Sequence, residues 1–314
     1  MKAIVLDASG GTENFSVREI PEPTLRSNEV LVKVHAIAIN PVDIKTRKGG
    51  SLYGSLKEQV PVILGWDISG IVQSVGSEVT RFQEGDEVFG MVNFPGHGKA
   101  YAQYVAAPEV HLTLKPGNIS HDEAAASSLA ALTAWQVLVH EAKIKPGQHL
   151  LMHAAAGGVG HFAVQIARHF GALVTGTASA SNASFLKEIG ANDTIDYTKE
   201  NFEDKAREVD VVFDPIGGET TVKSLKVLKR GGSLVSIVGG VKENVGPILE
   251  EKGVSAKNYL VHSSGSDMEQ LAHLLEQGVI KVHIYDRYSF DQMAEAHRQI
   301  ETGKTSGKIV VKVV

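Results

Sequence analysis

The stretch Ala154-Ala155-Ala156-Gly157-Gly158-Val159-Gly160 has the residue types and the spacing to hold a pyrophosphate. Small residues let a backbone approach an anion closely, and the N–H groups at the start of a following helix meet its charge. Gly157 and Gly160 fall at the second and third glycines of the dinucleotide fingerprint, with Ala155 at the first. The apolar run Leu150-Leu151-Met152 precedes the turn. Phe162, Ile166 and Phe170 follow at helical spacing, with Ala163 and Ala167 beside them and Gly171 as the stop. Strand, turn and helix therefore stand in the order that dinucleotide binding requires. Ala156, Gly157, Gly158, Val159 and Gly160 are expected to line the pyrophosphate.

A site for NAD carries Asp or Glu about 20 residues past the glycines, bonded to a ribose hydroxyl. Here the second strand runs into Thr177-Ala178-Ser179-Ala180-Ser181-Asn182, and no acid precedes Glu188. A carboxylate would repel a 2′-phosphate, whereas the hydroxyl and amide of Ser179 and Asn182 can donate to one, and Tyr197 adds a phenol. NADPH is the expected cofactor. Ser179, Ser181 and Asn182 have an alternative use as caps of the next helix. Asp214 and Gly217, after the fourth strand, are expected on the adenosine or ribose side.

Other chemistries are excluded or disfavoured. There are no cysteines among the 314 residues, which removes disulfides and thiolate sites. The 13 histidines do not assemble into a ligand pattern. His149 and His153 are four apart but on an expected strand, His161 and His169 flank an apolar helical stripe, and His97 sits in a Pro-Gly-His-Gly loop. A net charge of −5 with no basic run argues against a nucleic-acid surface. No run approaches the ~20 apolar residues of a membrane span, and Asp7 interrupts the opening apolar residues too early for a signal peptide. A cytoplasmic enzyme is expected.

The length suits two domains. Strands are expected at 2–6, 29–39, 68–75, 87–92 and 101–106, separated by glycine and proline turns, as in a compact β-rich barrel. Ser120 and Glu123 form a capping box for a helix running to about Val139. Parallel strands are expected at 150–153, 173–177, 194–196, 211–214, 233–238 and 259–262, with helices between most of them: a doubly wound α/β sheet. Helices near 268–276 and 290–301 precede a last strand at 308–313, expected to return to the first domain.

A β-rich domain followed by this cofactor domain resembles the medium-chain dehydrogenase/reductase superfamily over essentially the whole chain. Zinc-bearing members place Cys in one segment and His-Glu in another; here the segments read Asn40-Pro41-Val42-Asp43 and Gly65-Trp66-Asp67-Ile68-Ser69-Gly70. With Ala154–Gly160, Ile195-Asp196-Tyr197-Thr198-Lys199-Glu200-Asn201 and Asp210-Val211-Val212-Phe213-Asp214, the chain is similar to the zinc-less quinone oxidoreductase branch. That resemblance implies a GroES-like domain of 1–121 with 263–314 and a Rossmann domain of 122–262. It implies NADPH-dependent reduction of quinones or of the C=C bond of α,β-unsaturated carbonyls, by a homodimer, without a metal. An enoyl-thioester reductase, or a sensor that binds NADPH with little turnover, is the alternative.

The resemblance also assigns residues. Asn40 would donate to the acceptor's carbonyl oxygen, Asp43 would fix loop geometry, and Tyr53 would either donate a proton or wall the pocket. Trp66 is expected to pack. Thr133 matches the position near the nicotinamide ribose, although on a helix it can equally bond a carbonyl one turn back. Val238, Gly239, Ser263 and Ser264 would hold the nicotinamide through backbone groups. Lys308, before the final strand, could reach a cofactor phosphate, but is expected rather to be a solvated lysine.

Overall fold

In the computed structural model, which describes residues 1–242 and 245–313, β1 (Lys2–Leu6) and β2 (Phe15–Glu19) pair antiparallel. β3 (Glu29–Ile39) follows, its valines 30, 32 and 34 buried and Leu31, Lys33 and His35 half-buried, as the two-residue period dictates. Helices α1 (Pro41–Arg47) and α2 (Tyr53–Leu56) lead to β4 (Asp67–Val75), β5 (Glu87–Met91), β6 (Tyr104–Pro108) and β7 (Leu112–Leu114). The capping box forms as expected: Ser120 Oγ accepts from Glu123 N–H at 3.3 Å and starts α3 (His121–Ala126). The alanine-rich helix is broken where one continuous element was expected. Ser127 and Ser128 bond back to carbonyls one turn earlier, and the chain resumes as α4 (Leu129–Trp135) and a π-helical stretch at Gln136–Glu141.

From β8 (His149–Met152) strands and helices alternate: α5 (Gly160–His169), β9 (Leu173–Ala178), α6 (Ala183–Glu188), β10 (Asp193–Asp196), α7 (Phe202–Lys205), β11 (Val209–Asp214), α8 (Glu219–Val227), β12 (Leu228–Ser236), α9 (Gly246–Lys252) and β13 (Ser255–Asn258). These six strands form one parallel sheet in the order β10-β9-β8-β11-β12-β13, the doubly wound arrangement. The sixth strand is at Ser255–Asn258, not at the expected 259–262. Gly253 turns the chain left-handed directly after α9, so pairing with β12 begins at Ser255 and Tyr259 already lies beyond it.

α10 (Gly265–Glu276), β14 (Ile284–Ser289), α11 (Met293–Glu301) and β15 (Lys308–Lys312) complete the chain. β15 pairs antiparallel with β3, so the last strand does return to the first sheet, ordered β14-β15-β3-β4-β5-β7 with β6 also on β3. The chain divides into two compact units: Met1–Leu132 with His262–Gly278 and Val282–Val314, and Thr133–Val261 with Val279–Lys281. The division falls about ten residues later than the expected 121/122. The reason is α3, whose Ala125 and Ala126 bury against Ala36, Ala38 and Val310 in the first unit. No helix among the described residues is long and apolar enough to cross a membrane.

Candidate active site and cofactor turn

In the second unit, the turn after β8 starts at Ala154, held at φ +48°. Ala154 N–H donates to Thr177 Oγ1 at 3.2 Å, Ala155 N–H to Thr177 O at 3.0 Å, and Gly157 N–H to Ala154 O at 2.9 Å. A Cβ on Gly160 would lie 2.3 Å from Ala154 O and 2.7 Å from Ala155 Cα, so only glycine lets α5 start against the turn. Ala155, where the fingerprint has its first glycine, is accommodated from the neighbouring strand. A Cβ on Gly176 would lie 2.8 Å from the Ala155 methyl. The small residue has moved across to β9.

The first turn of α5 contains no acid, so its N–H groups keep their positive end toward the turn. Ala156 is buried, and Gly157, Gly158 and Val159 are half-buried. Backbone N–H groups, a bare Cα and an uncompensated helix start fit a dinucleotide pyrophosphate.

Beside the ends of β9 and β10, Ser179 Oγ lies 3.0 Å from Ser181 Oγ and accepts from Asn182 Nδ2 at 3.1 Å. These side chains bond one another; none of the three caps a helix with its side chain. Ser179 borders a pocket also lined by Thr194, Asp196 and Glu200, and Tyr197, the residue after Asp196, is 62% exposed. Sequence reasoning missed Asp196. It stands opposite Ala178 in the parallel register, placing an acid beside the end of the second strand although that strand carries none. The Thr198 hydroxyl holds its carboxyl below the ordinary range. Its carboxylate corrects the expectation that no acid stands at this end of the sheet, so the residue argument for NADPH rests on the donors of Ser179, Asn182 and Tyr197 and not on a missing acid.

Asp214 is fully buried; its carboxylate accepts the N–H groups of Ile216 at 2.8 Å and Gly217 at 2.9 Å, and the Thr221 hydroxyl. Val238 and Gly239 follow β12, where Ser236 Oγ accepts from Val238 N–H at 3.4 Å and Gly240 N–H at 3.1 Å. Thr133 is buried on α4.

In the first unit, Asn40 caps α1 and is 2% exposed. Its N–H donates to Asp43 Oδ2 at 2.7 Å, and Asp43 N–H to Asn40 O at 3.0 Å. Its side-chain amide is held at both ends: Nδ2 donates to Asp67 Oδ2 at 2.8 Å, and Oδ1 accepts from Lys308 Nζ. Leu129 N–H donates to Asp67 Oδ1 at 2.8 Å. Lys308 Nζ also donates to Ile39 O at 3.1 Å and lies 3.8 Å from Asp67 Oδ2. Lys308 is thus not the solvated lysine expected; 3% exposed, it is the ammonium facing two buried acids. Burial pushes the Asp43 carboxyl up to about 7 and that of Asp67 up to about 6. Burial likewise pulls Lys308 below the usual lysine range, opposed chiefly by Asp67. The Tyr101 hydroxyl faces Asp43 and lies 2.9 Å from His297 Nε2.

Trp66 packs as expected, fully buried, with its indole N–H on Gly96 O at 2.7 Å and Phe94 edge-on at 5.2 Å. The zinc site of zinc-bearing relatives does not fit these residues. An indole has no ligating lone pair, the Asn40 amide is held at both ends, and both oxygens of Asp67 already accept hydrogen bonds. Tyr53 opens α2, half-buried. Ser263 and Ser264 belong to the first unit. Ser263 N–H donates to Phe94 O at 3.3 Å and its Oγ accepts from Phe94 N–H at 2.8 Å, while Ser264 Oγ caps α10 through Asp267 N–H at 3.2 Å.

The alcohol dehydrogenase GroES-like domain family matches residues 26–117, and the zinc-binding dehydrogenase family matches residues 189–311. The 2-methylene-furan-3-one reductase of Solanum lycopersicum is 38% identical over 299 residues, covering 92% of this chain and 73% of that protein. The chloroplastic NADPH-dependent alkenal/one oxidoreductase of Arabidopsis thaliana is 36% identical over 321 residues, covering 99% and 79%. The chain belongs to the medium-chain dehydrogenase/reductase superfamily. Within that superfamily, the crystal structure of Escherichia coli quinone oxidoreductase complexed with NADPH superposes with a TM-score of 0.90 at 30% identity, covering 100% of both chains. The superfamily's two-part plan, a GroES-like β-rich unit and a Rossmann sheet, is the one described above.

Proposed function

We propose that this protein is an NADPH-dependent oxidoreductase that reduces quinones or the C=C bond of α,β-unsaturated carbonyls without a metal ion. The observation that carries the reading is the turn between β8 and α5, where a helix start meets a backbone that admits no side chain at Gly160. Relatives named for alkenal/one, furanone and quinone substrates support the acceptor class.

When bound, NADPH supplies a hydride to an acceptor that its own conjugation has already polarised. The chain's task is then to hold both partners. Ala156–Gly160 would receive the pyrophosphate, Ser179, Asn182 and Tyr197 the 2′-phosphate, and Thr133, Val238, Gly239, Ser263 and Ser264 the nicotinamide half. Asn40 retains one amide hydrogen beyond the bond to Asp67, which would donate to the acceptor's oxygen as charge develops there. Asp43 sets that residue by holding its N–H, and Tyr53 walls the acceptor or donates its proton. Lewis-acid activation has no support from the donor set at Asn40, Trp66 and Asp67. The outer edge of β13, which pairs with no further strand among the described residues and lies next to Leu260 at 60% exposure, suits addition of a second copy's strand, which supports a homodimer. A cytoplasmic location belongs to the same reading.

The test is NADPH oxidation, followed with a 1,4-quinone, a short enone and a 2-enoyl thioester after treatment with a chelator. Turnover of quinone or enone that survives chelation is expected. Turnover restored only by zinc, or confined to saturated alcohols with NADP⁺, overturns the reading. In Gly160→Ala the added methyl meets Ala154 O, and NADPH affinity is expected to fall at least 100-fold; unchanged affinity removes the cofactor site from this turn.

A further inference from the structure

His153 is a buried titratable group for which the proposed chemistry has no use, and it stands between β8 and the cofactor turn. Its hydrogen bonds have a determinable direction. Ser224 Oγ–H donates to Thr220 O at 2.7 Å, so toward His153 Nε2, 2.8 Å away, the serine oxygen accepts. His153 therefore carries its proton on Nε2, and Nδ1 is bare. Thr177 Oγ1 lies 3.2 Å from that nitrogen and must be the donor. The same threonine oxygen accepts Ala154 N–H at 3.2 Å. Ala154 N–H, Thr177 hydroxyl, His153 ring, Ser224 hydroxyl and Thr220 carbonyl form one chain running from the turn to α8.

Ala154 is the residue that this chain restrains, and at φ +48° it occupies a backbone region that alanine visits only when its surroundings impose it. Gly157 N–H and the Gly160 approach both refer to Ala154 O, so the orientation of this one peptide sets the cradle. Burial holds the His153 ring down to about 4, and the ring is neutral at physiological pH. Phe202, with its ring centroid 4.6 Å away, keeps it in place.

We propose that His153 is a positioning residue for the cofactor: acting through the Thr177 hydroxyl, it locks Ala154 in its left-handed conformation and so pre-forms the pyrophosphate cradle. This rests on the assignment of that turn to NADPH. His153 itself touches no cofactor atom; it acts by removing the freedom that binding would otherwise have to remove.

The experiment compares three variants of the full chain with the wild type, by NADPH titration, steady-state kinetics and thermal melting. Thr177→Val keeps the shape and deletes the hydroxyl, His153→Phe keeps a ring and deletes both nitrogens, and Thr177→Ser keeps the hydroxyl. The first two are expected to raise the Kd and KM for NADPH about tenfold, a 1.4 kcal/mol effect, with kcat at saturating NADPH within twofold of wild type. Thr177→Ser is expected to bind within twofold of wild type. If Thr177→Val and His153→Phe lower the melting temperature yet leave the Kd unchanged, His153 merely packs and the proposal is overturned. Should His153→Phe fail to fold, the tautomer of His153 decides, because Thr177→Val also deletes the direct acceptor of Ala154 N–H. The ¹⁵N shifts of His153 in the wild type give an independent reading: the Nε2–H tautomer supports the chain, and the Nδ1–H tautomer overturns it. A wild type that binds no NADPH would instead defeat the cofactor assignment.

Discussion

Asp67 and Asp214 are both carboxylates with no solvent exposure, one in each unit, and the protein accommodates them in opposite ways. Asp214 is surrounded by neutral donors: two backbone N–H groups of a tight turn and the Thr221 hydroxyl. Asp67 has a backbone N–H and an amide, but also a buried ammonium and a second acid, Asp43, in the same network. A carboxylate satisfied by fixed dipoles needs no partner's charge, whereas an ionic cluster depends on every member's protonation state. The first unit should therefore respond to pH and to charge deletion, and the second to the loss of individual hydrogen bonds.

The harshest test of that contrast is Lys308→Met. It leaves Asp43 and Asp67 buried with no ammonium facing them and frees Asn40 Oδ1, and a loss of about 3–5 kcal/mol is expected in urea unfolding. A loss below ~1 kcal/mol would mean that the acids are already satisfied by neutral groups, and the contrast would collapse.

The second test is pH. A carboxyl raised in the folded state binds its proton more tightly there than in the unfolded chain, so it favours folding at low pH and loses that effect as pH rises through the folded pKa. For Asp67 the loss extends to about pH 6, and for Asp43 to about pH 7. Buried His153 and His297, held down to about 4 and about 3, act in the opposite sense: their unfolded forms take up protons below the ordinary histidine pKa, so they weaken the fold as pH falls. Histidines and Lys308 contribute in the same range, so the Asp43 effect is read from the difference between the wild type and a variant without that carboxyl. The stability of the wild type relative to Asp43→Asn is expected to fall by about 1 kcal/mol between pH 6 and pH 8, levelling off above the folded pKa of Asp43. Identical stability–pH curves for the two proteins would rule out a proton on Asp43.

The smallest effect belongs to the second unit. Thr221→Val removes one neutral donor from Asp214 and should cost about 1–2 kcal/mol, with Thr221→Ser nearly silent. Melting curves at pH 6 and pH 8 should shift by the same amount in Thr221→Val; a shift that depends on pH would put Asp214 in the ionic class with Asp67.

What could be read in advance follows from how local each feature is. The glycine turn, the capping box at Ser120 and the alternation of Glu29–Ile39 are written within a few consecutive residues. Ala155 was recognisable as the odd member of the fingerprint, but its compensation at Gly176 is a contact between neighbouring strands and needs the register. Asp196 escaped for the same reason: it is adjacent to Ala178 across the sheet and 18 residues away along the chain. Lys308 and Asn40 are separated by 268 positions, and a lysine at the start of a strand carries no local sign of burial. The direction of the His153 chain was equally hidden, since it depends on two hydroxyls, one from β9 and one from α8, converging on one ring, and on the Thr220 carbonyl that orients the second.

The pairing of β15 with β3 has a consequence for biosynthesis. The six parallel strands lie within 149–258 and are all available once that stretch has left the ribosome, whereas the N-terminal sheet lacks a member until Lys308–Lys312 has been translated. Through that interval the nascent chain holds the partners of Lys308 without Lys308. Premature termination near residue 300 should accordingly yield a folded Rossmann half joined to an open, protease-sensitive β-rich half.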